Sequence, residues 1–369
     1  MAFNNKDISV ILQGAINPQI TPKAIKAIKT ILPGAFIIVS TWKNESYDVI
    51  NCDKLVISSP PSSVVVHNNL KSPNINNTNR MIYGVKRAIS RVPTKYVLKL
   101  RTDIILQDKS FLEYWDIYPE RNKQFQLFQK RILNYYLFAP QFNYCQGEKI
   151  PTLFHPSDWM FFGLTSDVKK LFNIPLQPDP TYSLWWIQHS KPEQQIDCWP
   201  EAVFRYAPEQ YLCYQAVHKQ FPSITFNNYL DITREKEQLS RLIMANNFVI
   251  LDYRQWHIQI PKYQHLIGTL PFGQTSHAHW QIDYKTYCAH QFKIAWYEYV
   301  FKYFKINVSE ILKTKRLEWE KKLIISFFYT AYKKHLYKKY SNSPVKLEQK
   351  LKKINPLKKL YVYSEDVKQ

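Results

Sequence analysis

Tyr96-Val97-Leu98-Lys99-Leu100-Arg101-Thr102-Asp103-Ile104-Ile105-Leu106 is an apolar, β-branched run that halts at Arg-Thr-Asp and resumes as Ile-Ile-Leu. Run and halt together predict a buried strand ending at Asp103. In an α/β sheet ligands bind in the crevice beyond the carboxyl ends of the strands. An acidic residue at that lip can hold a metal ion bridging two phosphates, or accept from a sugar hydroxyl. Arg101 can neutralise a phosphate directly. The plainer reading of Asp103 is an Asp that starts a turn for its own backbone reasons.

The chain around this stretch alternates strand and helix. Ile8 to Gln13 is a short strand stopped by Gly14. Thr21-Pro22 reads as an N-cap with proline at the first helical position. Ile25, Ile28, Ile31 and Leu32 follow at helical spacing until Pro33-Gly34. Residues 35–40 and 54–59 read as two further strands, and residues 80–91 as a helix with Ile82, Val85 and Ile89 on one face. Near-continuous apolar strands alternating with helices predict an α/β fold, a mostly parallel central sheet flanked by helices. With only seven glycines, the chain has neither Gly-x-Gly-x-x-Gly nor a Walker loop, which excludes a glycine-rich phosphate cradle.

Several of these segments, in order, resemble the WavE lipopolysaccharide-synthesis family: Ile8 to Gln13, Val39-Ser40-Thr41-Trp42, Asn76 to Arg80, Leu98 to Asp103, and Ser157-Asp158-Trp159 followed by Phe161-Phe162-Gly163. The resemblance runs over residues 5–230 and implies a GT-A-like glycosyltransferase domain, expected over residues 1–285. It implies donor-binding positions at Gln13, Thr41 and Trp42, near base and ribose, with Asn76, Asn79 and Arg80 on the same side. Arg101 and Asp103 would meet the pyrophosphate or the donor sugar. Where such enzymes carry a carboxylate first in Asp-x-Asp, this chain has Arg101, which exchanges a metal ligand for a phosphate ligand. Asp103 is the candidate metal ligand for Mn²⁺ or Mg²⁺, and metal-independent action is the alternative.

Asp158 is expected to receive a sugar hydroxyl and to act with Glu209 in the acceptor pocket, and His155 to touch a phosphate. Pro208 stands in the first turn of a helix, so Glu209 lies where the helix dipole favours its ionised form. The resemblance implies Glu209 as general base toward an acceptor hydroxyl in an inverting reaction. Ser-His-Ala-His-Trp places His277 and His279 on one face if the segment is a strand, a spacing some metal sites use.

Aromatic residues are frequent, with 26 Tyr, 21 Phe and 10 Trp. Most fill cores, and some can stack on sugar faces. The five cysteines form no Cys-x-x-Cys pair, which suits a reduced, cytosolic setting. A strand expected from about residue 8 leaves no room for a signal core, and residues 323–332 are too short an apolar run to span a bilayer.

The net charge of +21 concentrates at the end of the chain. Residues 293–360 hold 18 Lys and Arg against 5 Glu and no Asp, interleaved with aromatics. Residues 286–369 are therefore expected to form a basic, aromatic, helical C-terminal region suited to the anionic inner leaflet, or a solvated face packed by its aromatics. No nucleic-acid-binding signature accompanies the charge.

The expected function is transfer of a sugar from a nucleotide-sugar donor, a UDP-sugar foremost, to a growing lipopolysaccharide or capsule glycan. The acceptor would be a glycan or a lipid-linked glycan, and the protein cytoplasmic and peripheral at the inner membrane. The alternatives are a sugar nucleotidyltransferase and a non-catalytic membrane-surface module of a glycan-synthesis complex. Each Lys or Arg near an anionic bilayer contributes about 1 kcal/mol. Full-length protein should therefore sediment with anionic liposomes at low salt and be released at high salt, where screening shortens the reach of each charge. Indifference to such liposomes at low salt would rule out the membrane role.

Overall fold

The computed structural model describes residues 3–66, 74–145, 148–189, 203–271 and 273–289. The chain divides into two compact units, Met1–Trp296 and Tyr297–Gln369. The second unit, and with it most of the basic C-terminal region expected from residue 286, lies outside the described residues.

Seven strands build one sheet: β1 (Ile8–Gln13), β2 (Phe36–Trp42), β3 (Lys54–Ser58), β4 (Tyr96–Arg101), β5 (Ile132–Tyr135), β6 (Phe161–Leu164) and β7 (Phe248–Leu251). Their spatial order is β3-β2-β1-β4-β6-β5-β7. All neighbours are parallel except β6, which runs against both β4 and β5. The expected mostly parallel α/β sheet is thus present. Strand order reverses between β1 and β4, which opens a crevice at their carboxyl ends. Gln13 stands level with Ser40 on β2 and Arg101 on β4.

The helices are α1 (Thr21–Ile31), α2 (Thr78–Ile89), α3 (Thr165–Phe172), α4 (Trp185–Gln188), α5 (Pro208–Gln220), α6 (Arg234–Asn247) and α7 (His277–Tyr287). Every residue of β1 is buried, as are the four interior residues of β4, which accounts for their largely apolar character, with Ser9, Gln13 and Lys99 as the polar exceptions. Among the described residues no helix is long and apolar enough to cross a membrane. Cys52, Cys213 and Cys288 are free thiols.

Local differences from the sequence reading have local causes. Helix α2 starts at Thr78, two residues earlier than expected, because the Asn76 side chain accepts from the Thr78 amide and hydroxyl. Thr21 is the first helical residue and not the cap; its hydroxyl accepts from the Asn17 amide. His277 and His279 open α7 and do not lie on a strand, since Ser276 caps the helix by accepting from the His279 amide. Helix α7 also runs across the domain boundary expected at residue 285.

Two glycines let the chain close around the crevice. Gly14 ends β1 at φ +138°, donates to the Ser40 carbonyl, and leaves room for Thr102, whose hydroxyl donates to the Ala15 carbonyl at 2.6 Å. A Cβ on Gly14 would lie 3.1 Å from that hydroxyl oxygen. Gly84 does the same for α2, where a Cβ would lie 3.1 Å from Gln13 and 3.3 Å from Trp42. Gly14→Ala combines an unfavourable φ with a tight contact and should lower unfolding free energy by about 1–3 kcal/mol in urea titrations.

Candidate active site

The Arg101-Thr102-Asp103 turn closes β4 at the crevice. Arg101 donates from Nε at 3.0 Å and from one Nη at 2.7 Å to the two carboxylate oxygens of Asp103, a planar fork. The guanidinium also stands 5.1 Å from the centre of the Trp159 ring and 5.8 Å from that of Tyr263. Burial opposes the charge on Arg101, but the adjoining Asp103 carboxylate outweighs it and holds the guanidinium above its usual range.

Behind this fork lies a residue that the sequence reading passed over. Lys99 occupies the middle of β4, wholly buried, between Ile11 of β1 and Phe161 of β6. Its ammonium donates to the main-chain carbonyl of Asp158. Burial pushes its pKa down to about 8, against the pull of the Asp158, Asp103 and Glu209 carboxylates, while the positive Arg101 adds to the depression. The legible signal was a lone charge inside Leu98-Lys99-Leu100, since an unpaired Lys is almost never fully buried.

Lys99 and Asn134 fix the Ser157-Asp158-Trp159 turn from two strands. Asn134 on β5 donates to the carbonyls of Ser157 (2.7 Å) and Met160 (2.8 Å) and accepts from the Ser157 amide (2.9 Å). The turn feeds β6, whose reversed direction brings its start to the same edge as the end of β4.

Glu209 arrives from α5. Pro208 opens that helix, and Gln210 locks the entry by accepting from the Ala207 amide and donating to the Leu153 carbonyl. The Glu209 carboxylate lies 3.7 Å from Nε2 of His155. Burial drives His155 down to about 4, so at neutral pH the ring is uncharged and does not neutralise Glu209. Asp103, Asp158 and Glu209, far apart in the chain, thus share the field of one buried ammonium.

The other expected positions form a separate group. Gln13 and Trp42 pack together against Gly84 at the ends of β1 and β2. Thr41 is wholly buried, with no hydrogen bond from its hydroxyl. Asn76 donates to Ser183, and Asn79 donates to the Gln177 carbonyl and Asp179 and accepts from the Gln177 amide. Both asparagines thus help to hold residues 177–183. The Arg80 Nε is buried without a hydrogen-bond partner.

Among the described residues, those present do not assemble a divalent-cation site. The Asp103 carboxylate is occupied on both oxygens by Arg101, and no group of three or more His, Cys, Asp or Glu stands together among the described residues. Two positions apart on a helix, His277 and His279 diverge. His277 bonds Tyr118 and the Ile250 carbonyl, while His279 bonds Ser276.

Lys99 makes stability pH-dependent with a definite sign. Its folded pKa lies below its unfolded one, so between about pH 8 and pH 10.5 the unfolded chain binds more protons and stability rises with pH. Relative to Lys99→Met, wild type should gain about 2 kcal/mol in unfolding free energy from pH 8 to pH 10. Parallel curves for the two proteins would contradict the depressed ammonium.

The family described as WavE lipopolysaccharide synthesis matches residues 8–317. No curated protein matches the sequence. Among solved structures, the galactosyltransferase LgtC in complex with donor and acceptor sugar analogues is similar at 11% identity, over 53% of this chain and 68% of that one, with a TM-score of 0.29. A likeness that slight does not bear on the chemistry of this chain.

Proposed function

The chain belongs to the WavE lipopolysaccharide-synthesis family, and from that premise we propose that it is a GT-A-like glycosyltransferase. It moves a sugar from a nucleotide-sugar donor, a UDP-sugar in this reading, to a growing lipopolysaccharide or capsule glycan. The observation that carries the proposal is the gathering of Asp103, Asp158 and Glu209 around buried Lys99, beside the reversal of strand order.

In the proposed reaction the acceptor hydroxyl oxygen attacks the anomeric carbon, and the bond to the nucleoside diphosphate breaks. Glu209, in the first turn of α5, accepts the hydroxyl proton. Arg101 and Lys99 balance the charge that develops on the leaving diphosphate. Asp158 orients a sugar hydroxyl, while Gln13 and Trp42 border the nucleotide, with Thr41, Asn76, Asn79 and Arg80 behind them. No step runs through a metal ion. The basic residues beyond 290 hold the enzyme at the cytoplasmic face of the inner membrane.

Purified full-length protein, incubated with a panel of UDP-, GDP- and CMP-sugars, should release nucleotide from one of them. Asp103→Asn, which breaks the charged fork that aims Arg101 at the leaving diphosphate, should lower that rate about 100-fold. It should barely move the melting temperature, because a partly exposed pair contributes little to stability. EDTA should leave measurable activity. Release from no donor would sink the proposal, and complete loss on chelation with recovery in Mn²⁺ would restore a metal to the site.

A further inference from the structure

One aromatic side chain at the crevice is held against its own backbone preference. Phe138, just after β5, has φ +61°, a region that a bulky residue enters only under constraint. Its surroundings impose that conformation. The Ala139 amide donates to the Tyr136 carbonyl and the Thr275 amide to the Ala139 carbonyl, and Pro140 bridges Gln274. The strain does not serve core filling, because Phe138 is 37% exposed. Strain of this kind, of order 1–3 kcal/mol, gathers at ligand sites.

The neighbours of the ring are aromatic and polar in a definite arrangement. Its centroid is 5.0 Å from Trp159 and 5.9 Å from Tyr263, which are 5.1 Å from each other. The Arg101 guanidinium, forked to Asp103, stands against the same two rings. On the other side, the Phe138 main chain borders the His155 ring, without a hydrogen bond of normal geometry to the buried Nδ1. His155 in turn meets Glu209.

We propose that Phe138, backed by Trp159 and Tyr263, is the platform on which an acceptor pyranose stacks beside Glu209. The inference rests on the glycosyltransferase reading and adds the acceptor subsite to it. A pyranose offers an apolar C–H face to a flat ring and hydroxyls at its edge. The edge here carries a carboxylate and a guanidinium able to accept from and donate to those hydroxyls. Phe138 follows β5, on the far side of β4 from β1, β2 and β3, so the platform lies in the half of the sheet away from Gln13 and Trp42. Donor and acceptor would then approach the Arg101–Asp103 turn from opposite sides.

The test uses full-length protein and saturation-transfer NMR with methyl pyranosides of glucose, galactose and N-acetylglucosamine. At least one should receive saturation at its ring protons from wild type. Phe138→Gly should weaken that binding roughly tenfold while the protein stays folded with its melting temperature only modestly changed, since relief of the strained φ offsets part of the lost ring contacts. Phe138→Trp, which keeps a flat ring, should retain binding. Pyranoside binding that survives Phe138→Gly, or is lost in Phe138→Trp, overturns the platform. If wild type binds no pyranoside while releasing nucleotide from a donor, the platform is wrong and the transferase reading stands. If pyranoside binding depends on Phe138 but no donor is turned over, the transferase reading fails and a glycan-binding surface remains.

Discussion

The bond from the Lys99 ammonium to the Asp158 carbonyl joins the interior of the sheet to the edge where β4 and β5 end. A charge inside a sheet is expensive to desolvate, and it persists only where partners surround it. Here the partners are a main-chain carbonyl and the fields of three carboxylates from three separate segments. The dependence is mutual. Without Lys99, the Asp158, Asp103 and Glu209 carboxylates would lose a cation whose field all three share, leaving Arg101, which is forked to Asp103. Without those carboxylates the ammonium would have little reason to remain charged in the core.

Strand direction decides which segments can meet there. Because β6 runs against β4 and β5, the turn before it opens at the edge where β4 and β5 end. That brings Asp158 and Trp159 level with the Arg101–Asp103 fork and with Phe138. A parallel β6 would have delivered the same residues to the opposite edge, some four residues or about 13 Å away. Asn134 then removes the remaining freedom by bonding both ends of the turn.

The crevice has two chemically distinct halves. Around β1 and β2, Gly14 and Gly84 allow close approach, and Asn76 and Asn79 are already engaged by residues 177–183. Around β4, β5 and β6 the rings and charges are partly open, including Phe138, Arg101 and Asp103. A tight, preformed half beside a half rich in exposed chemistry is the arrangement expected of a ligand site on a rigid scaffold.

Much of this is legible in the sequence because it is local. β1, β2 and β4 announce themselves by mostly apolar, β-branched runs, since a strand buried on both faces admits little else. The Arg-Thr-Asp break marks a strand end, and Pro208 marks the start of α5 with Glu209 in its first turn. The histidine spacing of residues 277–279 is compatible with strand or helix; the Ser276 cap, also local, decides for helix. Other features exist only in three dimensions. Whether Asp103 would be free for a metal or forked by Arg101 depends on a turn geometry that spacing does not encode. The antiparallel sense of β6, the alignment of Lys99 beneath Asp158, and the convergence of Phe138, Trp159 and Tyr263 come from pairings across tens to more than a hundred residues. Strands pair by shape and burial of whole faces, so no short motif records which neighbour a strand will choose, and side chains gathered by that choice carry no common signature along the chain.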